Sequence, residues 1–224
     1  MTDVRTENEI KLYADSGPFV FEDDPAPSLA RLRSVIEKEG LKCGEPAVRK
    51  HTDSYYTDVG DTFTKRGIVL RFRDMGIEGL VTVKVPSIRS GMGVSRREIE
   101  TRVLNAPGFD RMKTLEDHAK NYLGAEKVDP VPKVIDEVIR CEFRVESDVR
   151  KYTADFDRVV YVDPRTGARS MPSCELEFES LDEAIADDIM IKRLVFRLTE
   201  DYLFEEERTS KYERGLAWME SIGR

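Results

Sequence analysis

Glu7-Asn8-Glu9-Ile10-Lys11, close to the amino terminus, is the stretch from which the fold is read. Glu7, Glu9 and Lys11 fall on every second position, with Asn8, Ile10 and Leu12 between them. Successive side chains of a strand point to opposite faces, so residues i, i+2 and i+4 share one. A strand here lines up two carboxylates and an ammonium about 7 Å apart and turns Ile10 and Leu12 toward something apolar. A row of acid, acid, base suits a metal ion beside an anionic group. A solvated strand face explains it too, and for this stretch by itself the solvated face is the stronger reading.

The pattern recurs along the chain. After a Pro- and Asp-rich loop over Asp15 to Pro27, Ser28 is placed to cap a helix carrying Leu29, Leu32, Val35 and Ile36 and ending near Gly40. A short strand is expected over Ser54 to Asp58. Gly67–Asp74 and Leu80–Val85 read as a hairpin, Ile68, Leu70 and Phe72 alternating with Val69, Arg71 and Arg73, and Thr82 and Lys84 opposing Val81, Val83 and Val85. Ser87 to Gly93 reads as a mobile connection. Val94 to Leu104 is a strand with Arg96, Glu98 and Glu100 on one face.

Pro107 to Gly124 is a loop and helix. Val134–Glu146 and Asp148–Asp157 return to alternation, extended by Val159–Val162, and Cys174–Glu179 sets Glu175, Glu177 and Glu179 against Leu176 and Phe178. Ser180 and Asp182 are placed to cap a helix through Ile185, Ile189, Leu194 and Leu198, and a last helix aligns Tyr212, Leu216 and Met219. The two halves, each of charged strands and then a helix, read as parts of one sheet system within a single domain over residues 1–224.

Composition narrows the classes. Charged residues are 36%, above the usual quarter or so, and the net charge of -8 argues against a general nucleic-acid coat protein. It leaves room for an anionic ligand, since 36 Lys and Arg remain to be clustered. Cys43, Cys141 and Cys174 are odd in number and lack metal-ligand spacing, which points to a reduced, cytoplasmic protein. Met1 to Thr6 is polar, so no signal peptide is expected, and no apolar run approaches a membrane span. His51 and His118 are expected at the surface. Tyr55, Tyr56 and Trp218 are expected in core packing, and Cys174 as a small packing residue. Gly91-Met92-Gly93 lacks the helix and lysine of a phosphate loop, and no Ser-His-Asp set stands out. The oligomeric state stays open, a homodimer included.

About eight strands alternate, with ionised groups on one face and aliphatics on the other. An antiparallel sheet with one wet face explains the alternation, yet the polar positions are runs of one sign: Arg71 and Arg73, Glu98 and Glu100, Glu175 and Glu177. Like neighbours repel, so opposite charge should lie between them. Closing the strands into an eight-stranded antiparallel barrel provides the place. Lined with charge, it is a wet tunnel, its aliphatic exterior covered by helices: an α+β fold. Its Arg and Lys suit phosphate. Its carboxylates, with no Cys or His cluster, suit Mg2+ or Mn2+.

These motifs resemble the CYTH superfamily, the triphosphate tunnel metalloenzymes. Glu7 to Lys11 resembles the signature E-x-E-x-K. Leu70-Arg71-Phe72-Arg73 is similar to the paired-arginine strand, Thr82-Val83-Lys84 to the lysine strand, and Arg96-Arg97-Glu98-Ile99-Glu100 to the R-x-E-x-E strand. Cys174-Glu175-Leu176-Glu177 resembles the late E-x-E strand, and Ser210-Lys211 the closing lysine. The ordered set spans residues 7 to 211.

The resemblance implies a tunnel that binds a triphosphate with divalent metal. It implies Glu7, Glu9, Glu175 and Glu177 as metal ligands, and Lys11, Arg71, Arg73, Lys84, Arg96 and Lys211 as phosphate-binding residues. Glu98 and Glu100 become acidic wall residues, catalytic together with Glu7, Glu9 and Lys11. For the family's basic strand and aspartate, Arg140, Arg144, Arg150 and Lys151 compete for the first role and Asp155, Asp157 and Asp163 for the second. Arg144, Lys151 and Asp155 are favoured, because Lys151 and Asp155 share a face. Asp148 to Thr153 also resembles the related polyphosphate polymerases.

The implied activity is hydrolysis of inorganic triphosphate or a small organic triphosphate, with metal-assisted attack of water on the terminal phosphorus. The rivals are an adenylate cyclase of the same tunnel type and a non-catalytic module that binds polyphosphate or a nucleotide.

Overall fold

The computed structural model describes residues 2–85, 88–90, 93–124, 127–148, 150–180 and 188–223; the side chains of 5–8, 88–90 and 93–97 are outside the described set. The described residues form an α+β structure whose strands pair antiparallel throughout in one 11-stranded sheet.

In chain order the elements are β1 (Thr2–Ala14), α1 (Ala26–Lys38), β2 (Lys42–Cys43), β3 (Ala47–Tyr56), α2 (Thr62–Lys65), β4 (Val69–Asp74), β5 (Glu78–Lys84), β6 (Ile88–Ser90) and β7 (Gly93–Leu104). Then come α3 (Arg111–Leu123), β8 (Val134–Glu146), β9 (Lys151–Val162), β10 (Ser173–Ser180), α4 (Ile189–Tyr202), β11 (Glu205–Glu206) and α5 (Lys211–Ile222). The sheet order is β11-β1-β10-β9-β8-β3-β4-β5-β7-β6. β1 has a double role: Asn8–Ala14 pair with β10, and Thr2–Glu9 pair with β7.

Period-two alternation sets the two faces. The aliphatic face of β1, β8, β9 and β10, with Ile10, Leu12, Cys141, Phe143, Phe156, Leu176 and Phe178, is covered by Leu32 and Ile36 of α1 and by Ile191, Leu194 and Leu198 of α4. The same face of β4, β5 and β7 packs Leu70, Phe72, Val81, Val83 and Ile99 against Leu115 and Ala119 of α3. Each such large side chain buried contributes roughly 1.5–3 kcal/mol.

α5 departs from the expectation that helices lie on the aliphatic side. Its Tyr212, Leu216, Trp218 and Met219 pack on Tyr55, Val69, Val134, Val138, Val159 and Tyr161. Those strand positions share a face with Asp53, Arg71, Asp136, Arg140 and Asp157. At one end of the charged face the inward positions become apolar, and α5 seals them. Ser210 begins the helix with a capping box to Glu213.

Other boundaries also moved. α1 starts at Ala26 behind Pro25, with no side-chain cap, and Ser28 is buried within it. β3 starts seven residues before the expected Ser54; its first half, Val48-Arg49-Lys50, is exposed on both faces, so hydrophobic alternation could not reveal it. Among the described residues α4 is capped by Asp188, whose carboxylate accepts from Met190 and Ile191; of the expected caps Ser180 is the last residue of β10, while Asp182, with Ile185, lies outside the described residues. His51 is buried rather than superficial, and His118 is half-buried with Nδ1 against the Thr114 carbonyl. No helix among the described residues is long and apolar enough to cross a membrane.

Gly215 marks how closely α5 seats. A Cβ there would come within 2.7 Å of Val134 Cγ1 and 3.0 Å of the Tyr161 ring. Overpacking of this kind costs about 1–3 kcal/mol, more than the roughly 1 kcal/mol that alanine gains over glycine in a helix. Gly215→Ala is expected to lower stability by about 1 kcal/mol, read by urea unfolding, with a shift in the fluorescence of Trp218, the single tryptophan, which stacks on Tyr161.

Candidate functional site

The charged face encloses a cavity of about 80 Å3, lined by side chains from β1, β3, β4, β5, β7, β8, β9, β10 and α5. Nine of the residues singled out from sequence meet there: Glu9, Lys11, Arg71, Arg73, Lys84, Glu100, Asp155, Glu177 and Lys211.

Strand register explains the gathering. Lys11 is the cross-strand partner of Glu177 and Lys84 that of Glu98. Lys11 Nζ lies 2.5 Å from Glu177 Oε1 and 3.3 Å from Glu9 Oε1. Lys84 is ion-paired with Glu98, which is fully buried behind the cavity wall. Arg71 approaches Glu100 at 3.5 Å and donates to Thr82 Oγ1 at 2.9 Å. Lys211, the first residue of α5, is ion-paired with Glu175, Asp157 (3.2 Å) and Glu177 (3.3 Å). Glu175 is fully buried between Lys211 and Arg214.

Four expected residues are not gathered by described side chains. Glu7 and Arg96 are register partners across β1 and β7, but their side chains lie outside the described residues. Arg144 is exposed, and Lys151 is exposed and pairs with Glu146 at 3.5 Å. Both have the right strand parity but the wrong depth: Arg144 pairs with Thr153 near the end of the β8–β9 hairpin, past the rim. Arg140, one of the alternatives left open, lines the cavity instead. Its guanidinium donates Nε and Nη2 to Asp157 at 2.8 and 2.7 Å, pairs with Asp155 through Nη1, and lies 3.6 Å from Glu177. Asp155 lines the cavity and Asp157 is buried beneath it. Asp163 sits in the turn after β9, accepting from Thr166 and the Arg165 amide.

The environment separates the carboxylates. Burial pushes Asp155 up to about 7, against the pull of Arg140. Glu177 is also buried, but Lys11, Lys211 and Arg140 outweigh that and hold it well below the usual carboxylate range. Burial opposes the charge of Lys211, and Glu177 and Asp157 more than restore it, raising its pKa.

Donor oxygens suited to a hard cation are present. Single oxygens of Asp157, Glu175 and Glu177 lie within 4.8 Å of one another. Glu9 Oε1 and Asp155 Oδ1 are buried without a hydrogen-bond partner. An all-oxygen set fits Mg2+ or Mn2+ better than zinc.

Asp53, Asp136 and His51 belong to none of the motif strands, yet they line the same face. Asp136 is the cross-strand partner of Asp53; both are fully buried, and neither Asp136 oxygen has a hydrogen-bond partner.

No family model matches the sequence, and no curated protein matches it significantly. Solved structures do match. A candidate adenylyl cyclase from Hippeastrum with a dominant triphosphatase activity aligns with TM-score 0.63 at 15% identity, covering 95% of this chain and 96% of that one. A candidate adenylate cyclase from Bacillus halodurans aligns with TM-score 0.54 at 15% identity, covering 93% and 97%. The fold is that of the CYTH-type proteins. At this identity the likeness concerns the CYTH-type fold.

Burial pushes the Asp136 carboxyl up to about 7, and the nearby charge of Asp53 adds to it. The folded state then holds a proton that the unfolded chain releases near pH 4. This contribution to stability is full below about pH 4 and declines up to about pH 7. Asp136→Asn is expected to gain stability over the wild type as pH rises from 4 to 8, by on the order of 1–3 kcal/mol, measured by urea denaturation at both pH values.

Proposed function

We propose that the chain is a metal-dependent triphosphatase: one CYTH-like tunnel domain over residues 1–224 that hydrolyses inorganic triphosphate or a small organic triphosphate. The convergence of Lys11, Arg71, Arg73, Lys84, Arg140 and Lys211 with Glu9, Glu100, Asp155 and Glu177 on one cavity carries the reading. The pairing of β1 with both β10 and β7 supports closure of the long strands into an eight-stranded tunnel. Three free cysteines accord with a cytoplasmic location.

In this reading Arg71, Arg73, Lys84 and Arg140 take the phosphate oxygens, and Lys11 and Lys211 supply point charges at the acidic end. Fixed cations of this kind stabilise charge that spreads onto the equatorial oxygens during phosphoryl transfer. Glu9, Asp155, Glu175 and Glu177 would hold the divalent cation, with Glu7 joining them by its place in the signature; when bound, the ion polarises the phosphoryl group and neutralises its charge. Glu100 orients the attacking water and accepts its proton. No nucleophilic side chain is needed.

The cavity favours phosphate over a nucleobase. Its aromatic side chains among the described residues, Tyr55 and Tyr212, stack on each other at 5.2 Å and are buried. Their mutual contact leaves that pair of ring faces closed to a base. The cyclase reading keeps the support of its structural likenesses and predicts cyclic AMP from ATP.

With tripolyphosphate or ATP and Mg2+ or Mn2+, the expected product is orthophosphate without cyclic AMP. Glu9→Gln should reduce turnover by about 100-fold or more with the fold retained by circular dichroism. Equal turnover in that variant would remove Glu9 from the mechanism. Arg140→Lys keeps the charge but loses the fork and should raise KM by about 10-fold, while Arg144→Ala should leave both constants unchanged. The reverse ranking would return the role to Arg144.

A further inference from the structure

Asp53 lies on β3, beside the paired-arginine strand β4, as the register partner of Arg73. Its side chain is fully buried. One carboxylate oxygen accepts from Arg73 Nε at 2.8 Å; the other accepts from Arg73 Nη2 at 2.8 Å and from Arg71 Nη1 at 3.3 Å. Thr82 on β5 takes Arg71 Nη2 at 2.9 Å. Two nitrogens of each guanidinium are thereby committed. Arg73 keeps Nη1 and Arg71 keeps Nε, which is buried without a hydrogen-bond partner. Both side chains line the cavity.

Arg71 and Arg73 stand on one strand face about 7 Å apart and repel each other. Left alone, such long side chains lose considerable rotamer freedom on ordering and would turn to different carboxylates. One shared aspartate removes the repulsion and fixes both planes. Two of its other titratable neighbours carry little charge: burial keeps His51, whose Nε2 lies 3.8 Å away, neutral with its pKa pushed down to about 3, and Asp136 on β8 is largely protonated below neutrality. The Arg73 and Arg71 guanidiniums hold Asp53 itself ionised in spite of burial.

We propose that Asp53 is the positioning residue of the phosphate site: it sets the orientation in which Arg71 and Arg73 meet a triphosphate, and Thr82 completes the hold on Arg71. This rests on the triphosphatase reading for the identity of the anion. It assigns a function to a residue outside every phosphate-binding and metal-binding motif of the chain.

The test compares wild type, Asp53→Asn and Thr82→Val with tripolyphosphate and Mg2+, taking kcat, KM, thermal midpoint and calorimetric Kd for tripolyphosphate. Asp53→Asn should raise KM and Kd by about 10-fold or more with a smaller change in kcat. Thr82→Val should raise them by about 3-fold. In an Arg73→Lys background, where the fork is already lost, Asp53→Asn should cost markedly less than it does alone. A lower thermal midpoint with unchanged KM and Kd would make Asp53 a structural ion-pair partner and overturn the proposal. Tighter binding would make it a competitor for the phosphate, which also overturns it. Should Asp53→Asn fail to fold, Thr82→Val decides, and an unchanged KM and Kd there overturns the inference. A wild type that binds tripolyphosphate without hydrolysing it removes the hydrolase reading alone, and Kd then judges Asp53; a wild type that does neither removes both.

Discussion

Charge compensation between neighbouring strands is the constraint on which the interior depends. A strand such as β4 or β10 carries like charges on one face, and such a row is unstable by itself. The register answers this: Lys11 sits across from Glu177, Arg73 from Asp53, Arg140 from Asp157 and Lys84 from Glu98. These four pairs set opposite charges side by side on neighbouring strands, while Glu175 and Glu177, which face Asp157 and Asp155 on β9, draw their countercharge from Lys11, Arg140 and Lys211. A slip of one residue in any of these pairings would turn the charges into the aliphatic layer. The ion pairs and the helix-covered hydrophobic face therefore enforce the same register.

This compensation also explains how far the sequence could be read. Alternation in β1, β4, β5 and β10 exposes which residues share a face, and ligand-like rows such as Glu175 and Glu177 stand out. Depth along a strand is a different quantity. Arg140 and Arg144 have the same parity, and only the pairing of β8 with β9 places one in the cavity and the other beyond its rim. Asp53 and His51 sit in the polar run from Arg49 to Ser54, where hydrophobic periodicity offers no face to choose. The side on which α5 packs was equally hidden. Its own pattern requires an apolar partner, and the partner is the end of the charged face, where Val69, Val134 and Val159 replace ionised residues. A count of inward valines against inward charges, strand by strand, carries that signal.

The internal pairs set the terms on which a ligand enters. Lys11, Arg71, Arg73, Lys84, Arg140 and Lys211 each lie within 4 Å of a carboxylate. An anion that binds to the cations must weaken these pairs and leave buried carboxylates short of countercharge, which is costly. A cation that binds to the carboxylates does the converse to the lysines. Neither exchange is favourable alone among side chains this buried. Taken together they would balance: the anion would take the released cationic groups and the metal the released carboxylates, so that with both bound no buried charge would be left without compensation.

Lys211 stands where these two exchanges meet. It touches Asp157, Glu175 and Glu177, whose oxygens lie within 4.8 Å of one another, and it begins α5, which packs on the apolar end of the strands. A divalent cation among those oxygens would displace the ammonium toward the cavity, where an anion could receive it. The Lys211 backbone is held by the helix whose Gly215 seats against Val134 and Tyr161. An apolar helix contact and the charges of the cavity thus meet at one side chain.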